Sequence, residues 1–346
     1  MTDALANELH LRHKDGFLKE DIRTIYLGGG TPSLLSEKEL NFLLETISKL
    51  WTIDPQAEIT LEANPEDTDK IRSTVWKSAG INRISLGVQS LFDDELKWMN
   101  RAHNAEASLQ SIDILKETGF EKFSVDLIYG SPFMSMERWE ETLKWVEEAK
   151  LTHLSCYGLT AEPKTPLANS IKNKSIAPLD AEKMAKQFEM LMSHADMQEW
   201  EHYEISNFAK RGHRSRHNSS YWNGVSYLGI GPSAHSFDGQ TRRWNIADNK
   251  KYVERIKEGI IPDEMEVLTP TQKLNETIMV KLRCVEGCNI SEITNRFGAA
   301  KATSLLSAAE KHIDARQMIY EEGYLKLTRT GKLFADSIAA DLFFEE

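Results

Sequence analysis

Along the first two-thirds of the chain, short apolar runs rich in β-branched residues alternate with stretches whose apolar positions recur at helical spacing. The runs Ile22–Leu27, Glu58–Leu61, Arg83–Val88, Phe123–Ile128 and His153–Leu159 each predict a strand. Between the first two, Ser36 and Glu39 carry a capping-box signature, and Leu40, Leu43, Leu44, Ile47 and Leu50 then share one helical face. Ile71, Val75 and Ala79 do the same before a stop at Gly80, as do Ile112 and Leu115 before Gly119. Asp180 is placed to cap a helix bearing Met184, Phe188, Leu191 and Ala195. Strand–helix units repeated in this way predict a parallel sheet, doubly wound or curled as a barrel.

The pattern changes after Glu199. Residues 200–223 are polar, aromatic and rich in histidine, with a basic centre from Lys210 to His217, and a glycine-rich segment from Leu228 to His235 follows. Thr269 and Pro270 read as N-cap and first residue of a helical block, with further helices expected over 291–297 and 299–320. A short strand at Tyr324–Leu327 and a last helix complete a pattern that resembles a winged helix. Winged helices often bind DNA, but this segment has no dense Lys/Arg stripe, so a structural or lid role is expected.

Composition narrows the classes. The 346 residues suffice for one large core and a smaller second domain. The net charge of −11 argues against nonspecific nucleic-acid binding, which depends on phosphate neutralisation. Three cysteines, Cys156, Cys284 and Cys288, exclude a disulfide scaffold and point to a reducing compartment. No apolar run approaches the ~20 residues of a membrane helix, so a cytoplasmic protein is expected.

The strongest local signal for chemistry is Gly28-Gly29-Gly30-Thr31-Pro32-Ser33, directly after a strand. Consecutive glycines leave bare backbone that a ligand can approach, although a glycine run alone is often only a turn. It is not a phosphate loop, since no Lys-Ser/Thr pair follows at the required spacing. Each later strand brings a polar group near its end: Glu62, Gln89, Asp126 and Thr160. In a parallel barrel these ends open onto one face, where ligands bind. Arg101 would add a cation able to grip a carboxylate in bidentate fashion. Taken singly, each of these residues is equally suited to a helix cap or a surface pair.

The segments GGGTPS (28–33), LEANPED (61–67), ISLGVQS (84–90), NRAH (100–103) and VDLIYGSP (125–132) together resemble the radical S-adenosylmethionine (SAM) family. The similarity extends through LSCYGLTAEPKTPL (154–167), YEISNFA (203–209), RHNSSYW (216–222), LGIGPSAHSF (228–237) and LTRTGKLFADSIA, so it covers the whole chain. Within that family it is similar to the group of oxygen-independent coproporphyrinogen III oxidase and the related haem chaperones. The run His217-Asn218-Ser219-Ser220-Tyr221-Trp222 matches the chaperones' H-N-x-x-Y-W pattern. The resemblance implies SAM contacts at Gly29, Gly30, Thr31, Glu62, Gln89, Arg101 and Asp126. It also implies haem on His217, with Tyr221 and Trp222 over the porphyrin and Arg211, Arg214 and Arg216 near its propionates. Haem would then pass to an acceptor protein; the alternative is a porphyrinogen-decarboxylating enzyme of the oxidase type.

The sequence also departs from the family. The resemblance implies a [4Fe–4S] cluster held by C-x-x-x-C-x-x-C after the first barrel strand, and that motif does not occur here. The opening, Thr2 to Arg12, resembles the helix that follows the cluster loop, so we expect a fragment of a longer protein, or else a shortened relative. Cys284 and Cys288 form a C-x-x-x-C with Ser291 at the third position, which is a poor set for a cluster. Cys156, within a strand, reads as a small buried hydrophobe. The expected architecture is an incomplete parallel (β/α) barrel lacking its first strand over 1–240, with Ile22–Leu27 bordering the gap. A linker with a helix over 241–268 and a winged-helix-like α+β domain over 269–346 would follow. SAM and haem are the expected ligands; no cluster, no radical chemistry and no nucleic-acid partner are expected of this sequence.

Overall fold

The computed structural model describes residues 1–18 and 20–345. The main sheet contains β1 (Ile22–Leu27), β2 (Ile53–Ala63), β3 (Arg83–Gln89), β4 (Phe123–Tyr129), β5 (His153–Gly158), β6 (Glu201–Glu204) and β7 (Asn207–Ala209). Its order is β1-β2-β3-β4-β5-β7-β6, curled and open, with β1 at one edge as expected. The pairs β2–β3, β3–β4 and β4–β5 are parallel, whereas β7 runs antiparallel to β5 and β6. Parallel neighbours need crossover connections, and the helices Lys70–Ser78, Ala105–Glu117 and Met136–Glu148 supply them.

By compactness the chain forms two bodies: Leu27–Leu34 with Thr60–Arg214, and Met1–Tyr26 with Leu35–Ile59 and the chain from Ser215 onward. In the first body, strand alternation separates two chemistries. Leu61, Ile84, Leu86, Val125, Leu127, Leu154 and Cys156 are fully buried, as are Trp76, Leu115, Trp139, Val146 and Leu191 of the helices. The alternate residues, Thr60, Glu62, Arg83, Ser85, Ser124, Asp126, His153 and Ser155, form a polar face. On the helix Lys70–Ser78 the expected apolar face is wrong: Ile71 is 79% exposed, while Ser73 and Trp76 turn inward. The bulk of the Trp76 indole, one turn on from Ser73, decides which side packs.

The second body carries two further sheets. The strands β8 (His235–Phe237), β9 (Thr241–Asn245) and β10 (Asp263–Val267) form one, in order β10-β9-β8. Together with the helix Asn249–Lys257 they make the expected linker over 241–268 a folded segment. Its anchor is a buried network on the N-terminal helix Thr2–Asp15. Glu8, fully buried, accepts from Asn245 Nδ2 (2.7 Å), Gly231 N (2.8 Å) and Tyr252 Oη (2.5 Å). Arg12 donates to Asp263 (2.7 Å), Asn245 Oδ1 (2.9 Å) and Glu8 (3.3 Å). With every charge met by partners, the burial of two ions is tolerated.

The third sheet, β11 (Cys288–Asn289), β12 (Met318–Glu321) and β13 (Tyr324–Leu327), has the order β11-β13-β12 and lies in the winged-helix-like segment. A separate core of Leu274, Ile278, Leu282, Ile293, Leu305, Leu325 and Ile338 holds it. Thr269 and Gln272 form a capping box at the helix Pro270–Arg283. The helix expected over 299–320 stops at Asp314, where Arg316 turns left-handed (φ 57°) and releases the chain into β12.

Candidate functional site

In the first body, the glycine run leaves β1 with Gly29 and Gly30 both left-handed (φ 73° and 68°). No atom lies within 4 Å of where a Cβ would stand on either, so backbone conformation and not crowding demands glycine. The Gly29 N–H donates to Glu62 at the end of β2 (3.1 Å). Thr31 is exposed, and its carbonyl accepts from Leu34 to start the turn Pro32–Leu34, which Ser33 pins by a 2.7 Å bond to buried Asp67. Asp126 on β4 accepts from Ser85 (3.3 Å) and Ser155, and burial pushes its pKa up to about 6, with the Glu62 charge adding to the rise. Gly29, Glu62 and Asp126 are thus gathered at the strand ends.

Gln89, the last residue of β3, sits in strained backbone. The register of β3 against β4 slips between Leu86 and Gln89, and Gln89 sits left-handed at φ 65°. A bulge and a non-glycine residue in this conformation re-aim a side chain at a backbone cost of order 1–3 kcal/mol. Gly87 leaves room for its amide: a Cβ there would stand 2.9 Å from Gln89 Nε2. Arg101 is exposed, and its guanidinium has no partner among the described residues. Its loop is held by His103, buried between Glu66 (3.0 Å at Nδ1) and the Val88 carbonyl (3.0 Å at Nε2), a positioning role that sequence reasoning missed. Thr160 is exposed two residues beyond β5, with no hydrogen bond to the others.

The polar face continues beneath these groups, and this too was missed. His153 bonds Tyr203 Oη (2.8 Å), and burial beside Arg83 holds its imidazole neutral, well below the usual range. The alternation of Ser, Asp, His and Arg with Leu, Val and Ile in successive strands was the available signal.

In the second body, the H-N-x-x-Y-W segment is the short helix Arg216–Trp222 rather than a loop. Buried Glu58 of β2 sits at its N-terminus, accepting from the Arg216 N–H (3.1 Å), the His217 N–H (2.9 Å) and Ser215 Oγ (3.2 Å). A carboxylate there offsets unpaired N–H groups and the helix dipole. Helical spacing sets His217 and Tyr221 on one face, edge to face at 5.0 Å. The His217 ring stacks on Tyr26 (4.7 Å, 17°), and its Nδ1 bonds Thr24 Oγ1 (2.9 Å). Burial lowers its pKa to about 4 against the opposing Glu58 charge, so the ring is neutral near pH 7. A 4.6 Å contact from Tyr221 to Tyr227 extends the aromatic surface.

Trp222 lies elsewhere. Arg283 stands over its indole at 5.6 Å, and the ring stacked on His217 is that of Tyr26. Two of the three nearby arginines are engaged: Arg214 pairs with Glu201, and Arg216 donates to the Gln56 carbonyl. Arg211 is exposed. The three cysteines are free thiols: Cys156 is buried in β5, and burial pushes Cys288 up to about 12. Among the described residues, no three His, Cys, Asp or Glu side chains are placed to hold a metal ion, so the donor set does not fit an iron–sulfur cluster. Nor, among them, is any helix long and apolar enough to cross a membrane.

Comparison with known proteins places the chain in a family. Residues 10–146 match the radical SAM superfamily and residues 268–334 the HemN C-terminal domain. The heme chaperone HemW of Bacillus subtilis is 33% identical over 322 residues, 92% of this chain and 84% of that protein. HemW of Escherichia coli is 30% identical, covering 94% and 85%. The structure of coproporphyrinogen III oxidase (HemN) from Escherichia coli superposes with a TM-score of 0.84 over 99% of this chain and 82% of that one; at 21% identity this speaks to the fold alone. With its glycine loop and polar strand ends on one body and its His-Asn-x-x-Tyr-Trp helix on the other, the chain belongs to the HemW family of the radical SAM superfamily.

Proposed function

We propose that this chain carries haem on His217 and passes it to an acceptor protein. The observation that carries the reading is the state of the His217 ring. Thr24 occupies Nδ1, Tyr26 stacks on one face, burial keeps the ring neutral, and Nε2 has no protein partner among the described residues. A neutral imidazole whose second nitrogen is fixed by a hydrogen bond is what an axial iron ligand requires. Tyr221 and Tyr227 offer apolar cover with polar rims. Release to an acceptor then needs only exchange of one iron–imidazole bond. Three free thiols suit a reducing compartment such as the cytoplasm.

The strand ends of the other body fit SAM. Gly29, Gly30 and Thr31 offer open backbone to its methionine end, Arg101 a free guanidinium for the carboxylate. Glu62, Gln89, Asp126 and Thr160 supply acceptors for the amino group and ribose hydroxyls. In radical SAM proteins a cluster-bound SAM supplies a 5′-deoxyadenosyl radical; here these residues bind and orient SAM.

Haem titration followed by Soret absorbance tests the reading. His217→Ala should abolish or sharply shift the Soret band with the fold intact, while His213→Ala and His235→Ala leave it unchanged. Unaltered affinity and spectrum in His217→Ala would end the axial assignment.

A further inference from the structure

The helix that carries His217 has seven residues, too few to hold its own orientation in isolation. Its start is fixed by Glu58 and Ser215. Its end is fixed by residues from the far side of the chain. Arg283, the last residue of the helix Pro270–Arg283, lies over the Trp222 indole and is tied through Nη1 to Asp336. Lys281, from the same turn, donates to Asn223 (3.3 Å), which caps the His217 helix. Trp222 follows His217 by five positions and so projects from the opposite side of the helix. A grip on the indole therefore sets the roll of the helix, and with it the direction of His217 Nε2.

We propose that Arg283 is a positioning residue for haem: through Trp222 it aims the His217 imidazole, which makes the winged-helix-like segment a clamp on the ligand helix. This rests on the haem reading above. A second consequence follows from reciprocity: whatever binds haem through His217 tightens the clamp, and whatever pulls Arg283 from Trp222 loosens haem. A partner that engages Asp336, which is 73% exposed, would thus favour release.

The variants Arg283→Met, Arg283→Lys, Asp336→Asn and Trp222→Phe, with His217→Ala as reference, test the clamp by haem titration, Soret position at saturating haem, and electron paramagnetic resonance of the ferric complex. Arg283→Met should weaken haem by a few-fold, less than the ~10–100-fold seen on losing a group bonded directly to a metal-ligating histidine, and broaden the ferric signal. Arg283→Lys keeps a cation over the indole and should recover part of the loss. Asp336→Asn, a surface change that leaves folding untouched, should move both readouts the same way by a smaller factor. In a Trp222→Phe background, Arg283→Met should add less than it does alone. A lowered melting temperature with an unchanged Soret band and affinity would mark Arg283 as merely structural and overturn the proposal. If His217→Ala loses haem while Arg283→Met and Asp336→Asn bind it as the parent does, the clamp alone fails. Unchanged binding in His217→Ala removes both readings.

Discussion

The strand ends of the first body and the His217 helix of the second hold polar groups in fixed positions by opposite means. At the strand ends the fold does the placing: Glu62, Ser85 and Asp126 stand where parallel register puts them, and special backbone is needed at Gly29, Gly30 and Gln89. The His217 helix has no such scaffold. It is held by Glu58, Thr24, Tyr26 and Arg283, all distant in sequence. A site built on register tolerates loss of any one side chain, whereas one built on clamps depends on each.

The sharpest way to break the contrast is to strike the second body's anchor. Glu8→Ala removes the shared acceptor of Asn245, Gly231 and Tyr252 and leaves buried Arg12 with Asp263 as its one carboxylate partner, and should cost about 3–5 kcal/mol in denaturant unfolding. Next comes the outer partner of the imidazole. Thr24→Val should weaken haem by about tenfold, and Thr24→Ser should restore it, read by Soret titration.

The pH dependence separates the bodies by sign. His217 has a folded pKa near 4, below its unfolded 6.5, so its contribution to stability is full above 6.5 and is lost as pH falls toward 4. Asp126 is raised from 3.8 to about 6, so its contribution is present below 3.8 and is lost as pH rises through 6. Unfolding midpoints measured from pH 4 to 8 should show His217→Gln flattening the acid limb and Asp126→Asn the limb above 4. The smallest effect is expected from Gln89→Gly, which relieves the left-handed strain while removing the amide: stability should change by no more than about 1 kcal/mol as SAM binding weakens in equilibrium dialysis.

The same contrast explains what the sequence made legible. Strand periodicity located β1 and β13 to the residue and β3, β4 and β5 to within one, because apolar alternates and flanking stops mark them locally. The capping box at Ser36 and the N-cap at Thr269 were equally local. The helix Arg216–Trp222 was not legible, since seven mostly polar residues have no apolar stripe and its stabilising partner, Glu58, stands 159 positions from His217. The left-handed Gln89 was hidden for a different reason: glycine announces such backbone, and glutamine does not. The contact of Trp222 with Arg283 was equally out of reach, since Arg283 belongs to another element.

The network around Glu8 also has a consequence in time. Tyr252, which donates to its carboxylate, is made 244 residues after it. At ~5–20 residues per second, synthesis leaves that carboxylate and the neighbouring guanidinium of Arg12 without their distant partners for roughly 12–50 s. The strands and helices of the first body meet their partners much sooner. The helix Thr2–Asp15 therefore waits longer for its partners than the crossover helices of the first body wait for theirs, with the Glu8 and Arg12 side chains open to chaperones throughout the delay.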